Sequence, residues 1–171
     1  MLTQNKNVLP KKLVSLAKKL SPMPVAIVCA HQSTVMESVK KAYELNLIHP
    51  IFIGNANKIL NEAKNLDWEI NNFQIINQED DVESANIGAG LAKDNKIKVI
   101  IKGHIHTDVL MRSYLKKEFH LLKGKRLSHI WHITIPPDEK PLFITDGALN
   151  VLPRIEVKMH ILLNSIEFAK K

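Results

Sequence analysis

The sequence predicts a parallel α/β sheet, and three observations predict it. Short, predominantly apolar runs recur at Val25–Cys29, Pro50–Gly54 and Ile97–Ile101, the last interrupted by Lys98, as strands covered on both faces do. Segments with apolar residues spaced by threes and fours lie between them. The links are short, so strands and helices alternate as in βα units. Near the C-terminus the pattern changes to one alternating, half-exposed pair of strands and a closing helix.

Residues 11–20 predict a short basic amphipathic helix with Leu13, Leu16 and Leu20 on one face, broken by Ser21-Pro22-Met23-Pro24. Val25–Cys29 is the first strand. Ser33 or Thr34 is placed to cap a helix striped by Val35, Val39, Ala42 and Tyr43. Pro50–Gly54 is the second strand, Asn57 to Asn65 a short helix, and Phe73–Asn77 the third strand. Asp80 to Asp94 predicts a helix with a small inner face, Ala85, Gly88, Ala89 and Ala92, suited to lying close on a sheet. Ile97–Ile101 is the fourth strand, ended by Lys102-Gly103, with a helix over Asp108 to Lys117 capped by Thr107 or Asp108. A Gly-Lys-Arg loop follows at Gly124–Arg126. His129–Ile135 and Leu142–Thr145, joined by a turn over Pro136–Lys140, read as an antiparallel pair. Arg154 to Lys171 closes the chain as a helix with Ile155, Met159, Leu162, Ile166 and Ala169 on one face; this apolar face predicts association.

The 171 residues are 45% hydrophobic and 24% charged, the composition of a globular domain with a sizeable core. No segment reaches the roughly 18 apolar residues of a transmembrane helix, and residues 1–10 lack an apolar signal core. A single cysteine, Cys29, excludes an internal disulfide and fits a reducing cytoplasm. The net charge is +7, from 24 Lys+Arg against 17 Asp+Glu. The basic residues are scattered and do not alternate with aromatics, so an anionic metabolite is favoured over nucleic acid as the reason for that charge.

Ligands of open α/β sheets gather at the carboxyl ends of strands. The segment from Ile97 to Arg112 passes there through Lys102-Gly103 into a helix start, where backbone N–H groups and the helix dipole attract anions. Lys102 and Arg112 add full charges. His104 and His106 form an HxH pair, with His129 and His132 later, yet no spacing matches a metal motif such as H-E-x-x-H. Cys29, inside an apolar strand, reads as a structural thiol. Asp146-Gly147 after a strand is equally a ligand contact or a turn. Walker A, G-x-G-x-x-G and G-x-S-x-G motifs are absent.

Together these blocks resemble the phosphate acetyltransferase/phosphate butyryltransferase family, in order and in spacing. They are Val25-Ala-Ile-Val, Leu47-Ile-His-Pro-Ile-Phe-Ile-Gly54, Ile100-Ile-Lys-Gly-His-Ile-His-Thr-Asp-Val-Leu-Met-Arg112, Lys123-Gly-Lys-Arg-Leu-Ser-His129 and Pro141-Leu-Phe-Ile-Thr-Asp-Gly-Ala-Leu-Asn150. The resemblance runs from about residue 22 to 170. It implies an αβα sandwich like the first domain of the isocitrate/isopropylmalate dehydrogenase-like fold, ending in an antiparallel strand pair and a C-terminal helix. The expected organisation is a basic helix and linker over 1–21 and this α/β domain over 22–171.

The implied reaction is reversible acyl transfer, acyl-CoA plus phosphate giving acyl phosphate plus CoA, with acetyl or butyryl as acyl group. It implies no metal and no cofactor, coenzyme A being a substrate. Substrate-binding positions carried over by the match are Lys102, Gly103, His106, Thr107, Arg112, Ser128 and Asp146; no catalytic residue carries over. The resemblance covers only the N-terminal half of the family pattern, whose members are about twice as long with the site between two domains. The expectation is therefore a truncated or split form that needs a second polypeptide for turnover, with a homodimer as a further expectation. The alternatives are a non-catalytic anion- or acyl-phosphate-binding module and a basic nucleic-acid-binding domain. Ala30-His-Gln-Ser-Thr34 departs from the family pattern, which has acidic residues before this helix.

Overall fold

The computed structural model describes residues 9–122, 124, 126–135 and 140–170. These fall into two compact units, one of Leu16–Leu121 and one of Met1–Ser15 with Leu122–Lys171. Each is described by itself. Lys123, Lys125 of the Gly-Lys-Arg loop, and residues 136–139 of the turn expected over Pro136–Lys140 lie outside the described residues.

The elements in chain order are α1 (Lys11–Ala17), β1 (Met23–Val28), α2 (Ser33–Glu44), β2 (Ile48–Gly54), α3 (Ala56–Asn65), β3 (Ile75–Asn77), α4 (Asp81–Lys93), β4 (Val99–Lys102), α5 (Thr107–Tyr114), β5 (Ile130–Ile135), β6 (Lys140–Thr145) and α6 (Ile155–Ala169). A 3-10 turn, Lys117–Phe119, follows α5. The first unit is an α/β fold with a four-stranded sheet in the order β3-β2-β1-β4, and every pairing is parallel.

Periodicity explains the layers. Val25 and Ile27 of β1 face one core, completed by Met36 and Val39 of α2, Ile59 and Ala63 of α3, and Phe52. Ala26 and Val28, on the opposite face, meet Ile53, Ala85 of α4, Ile97 and Ile105. β1 is thus the central strand, buried on both sides, as its unbroken apolar run predicts. The chain builds outward from β1 to β2 and β3, then returns through α4 to place β4 on the other side of β1. Right-handed crossovers in the two directions require helices on opposite faces, which is where α2 and α3 on one side and α4 on the other are found.

Short contacts fix the sheet's carboxyl edge. Gly103, just after β4, donates its N–H to Val28 O at 2.8 Å, and His104 donates to Cys29 O at 2.8 Å. A Cβ on Gly103 would lie 2.2 Å from Cys29 O and 2.6 Å from Val28 O. On the other flank a Cβ on Gly54, where φ is +139°, would sit 3.3 Å from Cys29 Cα. Between the two glycines Cys29 takes a left-handed φ of +57°, a conformation rare for a residue with a side chain. Cys29 is therefore not inside the strand, as its apolar setting suggested, but at the bend that ends it.

Helix ends differ in detail from expectation. Asn55 and Asp80 cap α3 and α4 by accepting from Lys58 N–H at 3.0 Å and Glu83 N–H at 2.8 Å. The cap of α5 is His106, not Thr107 or Asp108, and it makes no side-chain capping bond. α2 starts at Ser33, whose Oγ bonds Glu37 Oε1 at 3.1 Å, with Gln32 as its cap.

In the second unit β5 and β6 form the expected antiparallel pair, from Ile130 opposite Thr145 to Ile135 opposite Lys140. α6 buries only Ile161 and leaves Ile155, Met159, Leu162, Leu163 and Ile166 exposed. No helix among the described residues is long and apolar enough to cross a membrane.

The Gly103 contact yields a paired prediction. Gly103→Ala forces a methyl group into two backbone carbonyls and should cost at least about 2–3 kcal/mol in denaturant unfolding. Gly90→Ala, whose Cβ meets only Phe119 at 4.0 Å, should gain about 0.5–1 kcal/mol by helix propensity. Equal stability of the two variants would remove the glycine constraint.

Candidate functional site

Where strand order reverses, the loops leaving two neighbouring strands run in opposite directions and open a crevice, the usual ligand position in such sheets. Here that point lies between the carboxyl ends of β1 and β4. One side is Cys29-Ala30-His31. The other is Lys102-Gly103-His104, leading through Ile105 and His106 into α5.

The structure keeps five of the seven sequence-predicted positions on this second segment. Lys102 ends β4 and is exposed; its ammonium makes no hydrogen bond or ion pair with the described residues. Gly103 is buried, and its N–H is already given to Val28. The amides just after the strand are therefore not free for an anion: His104 N–H goes to Cys29 O, and Ile105 N–H to Gly103 O at 3.0 Å. Gly103 acts here by allowing close approach. The available amides lie further on. The first helical bond of α5 runs from Leu110 N–H to His106 O, so Thr107, Asp108 and Val109 present N–H groups that no side chain among the described residues caps. His106 and Thr107 are exposed at that end. Arg112 is one turn on, its side chain 81% exposed and paired with Asp108 at 3.1 Å. Its charge is thus partly balanced by a carboxylate in the same first turn.

Ser128 and Asp146 belong to the other unit. Ser128 Oγ accepts from Asn164 Nδ2 at 3.0 Å, and the same amide donates to Arg126 O at 2.8 Å. Asp146, at φ +51°, accepts from Leu149 N–H at 3.1 Å, His129 N–H at 3.4 Å and the Asn150 amide. Desolvation pushes the Asp146 carboxyl up, but the bonds from Asn150, His129 and Leu149 outweigh it and hold the group below its ordinary value. Asn150 also reaches Leu127 O at 3.0 Å. Sequence reasoning gave Asn150 and Asn164 no role; their only signal was an amide placed near loops rich in free carbonyls.

His31 was singled out only as a departure from a family pattern, and His104 only as half of an HxH pair. The structure brings them together at the crevice with ring centroids 5.4 Å apart. Among the described residues no three His, Cys, Asp or Glu side chains group as metal ligands. Beneath the crevice the buried Cys29 thiol donates to Asp81 Oδ1 at 3.3 Å. Burial, reinforced by that bond and the Asp81 charge, pushes the thiol up to about 12. Such a thiol is no nucleophile at neutral pH.

The chain is 35% identical over 151 residues to the phosphate acetyltransferase of Rickettsia typhi, covering 88% of this chain and 43% of that protein. It is 28% identical over 158 residues to the phosphate butyryltransferase of Clostridium acetobutylicum, covering 92% and 52%. A crystal structure of a branched-chain phosphotransacylase from Enterococcus faecalis superimposes with TM-score 0.72 at 26% identity, over 86% of this chain and 51% of that one. A phosphotransacetylase from Streptococcus pyogenes gives TM-score 0.76 at 18% identity, over 95% and 59%, a likeness of fold. No family model matches. The chain spans about half the length of the curated relatives it matches.

The Cys29 environment predicts chemical silence. At pH 8 the native thiol should resist a thiol-specific disulfide reagent and react only when the chain is unfolded. Because the folded value lies above the ordinary 9.0, the thiol's contribution to stability is intact below about pH 9 and is lost as pH rises from there towards 12. Stoichiometric labelling of native protein on mixing would contradict this placement.

Proposed function

We propose that this chain, a relative of the phosphate acetyltransferases and phosphate butyryltransferases over about half their length, forms the phosphate-facing wall of a phosphate acyltransferase site. The observation that carries the reading is the β1/β4 switch point, where Lys102, a helix start and Arg112 follow one another within one strand–turn–helix segment, the lysine without a partner and the helix start without a side-chain cap among the described residues.

In the reaction this implies, the thiolate of coenzyme A attacks the carbonyl carbon of an acyl phosphate. The S–C bond forms, the C–O bond to phosphate breaks, and phosphate leaves with the electron pair. Negative charge then grows on the carbonyl oxygen and on the departing phosphate. Preorganised positive groups aimed at those oxygens lower the barrier. Lys102 and the Thr107–Val109 amides are the groups this segment offers, with His106 and Thr107 beside them. Arg112 joins them by exchanging Asp108 for the phosphate, a change that an exposed pair, worth at most about 1 kcal/mol, permits. Gly103 holds the segment against β1. Ser128 and Asp146 are carried over as binding positions on the other unit, where each also ties its own loops together.

Acyl-CoA, phosphate and acyl phosphate are the proposed small-molecule partners. A second polypeptide supplying the facing residues, or a second copy meeting the exposed face of α6, is the proposed protein partner. The alternative of an anion-binding module without turnover is favoured by one observation: the match, which spans about half the length of the relatives, carries over binding positions and no catalytic residue.

Two measurements test the reading. The purified 171-residue chain should bind acetyl phosphate in calorimetry. Lys102→Ala should weaken that binding about three- to tenfold, as a charge-assisted contact worth roughly 0.7–1.4 kcal/mol would. Mixed with acetyl phosphate and CoA, the chain alone should form no acetyl-CoA above background. Unaltered binding in Lys102→Ala would remove the segment from the site, and robust turnover by the chain alone would overturn the division of labour.

A further inference from the structure

The crevice contains a feature that the acyltransferase reading does not use. His31 lies three residues beyond the end of β1, and His104 two beyond β4. Their rings meet edge to face, with centroids 5.4 Å apart and planes at 66°. The backbone beneath them is locked: Ala30 N–H bonds Ile53 O at 3.3 Å and His104 N–H bonds Cys29 O at 2.8 Å. The short separation is therefore built in by the same glycine contact that ends β1. His31 Nδ1 is buried and has no hydrogen-bond partner among the described residues, and buried polar atoms nearly always have one.

The charges around His31 come from three elements. His104 faces it from beyond β4, Lys58 and Glu62 from α3, and Asp81 from α4. Burial first, then His104 and Lys58, hold the His31 ring below its ordinary value, against the opposing pull of Asp81 and Glu62. Two imidazoles this close cannot both be charged without strong repulsion. An anion seated at the open edge of the pair offsets the repulsion, and a turn of the His31 ring about its side-chain bond brings its orphan nitrogen out to that anion. His104 is exposed, so the pair is open on the side from which a ligand enters. Lys102 is two residues away in sequence.

We propose that His31 and His104 clasp a tetrahedral dianion, the phosphoryl group of the ligand, and take up a proton as it binds. The proposal rests on the reading of this edge as a phosphate-binding wall. It assigns a role to two residues that lie outside the positions matched by family resemblance. The proton comes from solvent and settles on an imidazole nitrogen; no covalent bond to the ligand is made.

Sulfate is the probe, because unlike phosphate it keeps its double charge throughout the range in which histidine titrates. Calorimetry on the full chain should show sulfate binding at least about fivefold tighter at pH 6 than at pH 8, since one linked proton allows up to about tenfold per pH unit. Repeating it in buffers of different ionisation enthalpy should show net proton uptake. His31→Gln and His104→Gln should each flatten the pH dependence to less than about twofold. Lys102→Ala should lower affinity at every pH and keep the slope. Should a histidine variant fail to fold, nuclear magnetic resonance titration of the two imidazoles in the wild-type chain decides, both rings holding protons to higher pH in sulfate. Sulfate affinity without pH dependence, a slope that survives in both histidine variants, or ring titrations unmoved by sulfate would overturn the proposal and leave the phosphate wall standing. No binding of sulfate or phosphate by the wild-type chain at pH 6 would overturn both.

Discussion

The contact of Gly103 with the carbonyls of Val28 and Cys29 is the constraint on which the rest of the candidate site depends. No side chain fits there: a Cβ would lie 2.2 Å from one carbonyl oxygen. Because β4 ends flush against β1, Cys29 must turn into the left-handed region. The chain then rises from both strands at the switch point instead of passing over it. That single approach sets the separation of His31 and His104, keeps Lys102 at the rim, and fixes where α5 begins. The backbone donors nearest the strand are consumed in making the contact. The backbone N–H groups left without a backbone acceptor are those at the start of α5.

Much of the parallel sheet was legible in the sequence, for a physical reason. A strand covered on both faces has no polar positions, so Val25–Val28 and Ile51–Ile53 announce themselves, and the small residues of α4 announce close packing. Strand ends were less legible. Cys29 is as apolar as its neighbours, and nothing in its identity reports a positive φ; the information lies in Gly54 and Gly103, distant in sequence and adjacent in space. Gly103 is expected as a substrate-binding position from the family resemblance; what the structure shows is its close approach to the backbone of Val28 and Cys29. A glycine reports a need for closeness without reporting to what. The missing cap on α5 was likewise hidden, because Thr107 and Asp108 are good capping residues that fell one and two positions inside the helix.

The loops of the second unit illustrate the opposite case. Asp146 and Ser128 were visible through family resemblance, yet their partners Asn150 and Asn164 were not. Asparagine side chains serve any loop with a free carbonyl, so the pairs Asn164–Ser128 and Asn150–Asp146 become readable only once β5, β6 and α6 are placed. Exposed apolar residues along α6 were foreseen from spacing, and the structure buries only Ile161 of that helix. A helix in that state has more apolar surface than its own unit can cover.

The crevice between β1 and β4 is the proposed seat of a tetrahedral oxyanion. Backbone amide chemical shifts, followed as phosphate is added to the isotopically labelled chain, test this most directly. The account predicts saturable shifts confined to residues 29–31 and 102–109. Shifts that are absent there, or that saturate instead along α1 or α6, would contradict it.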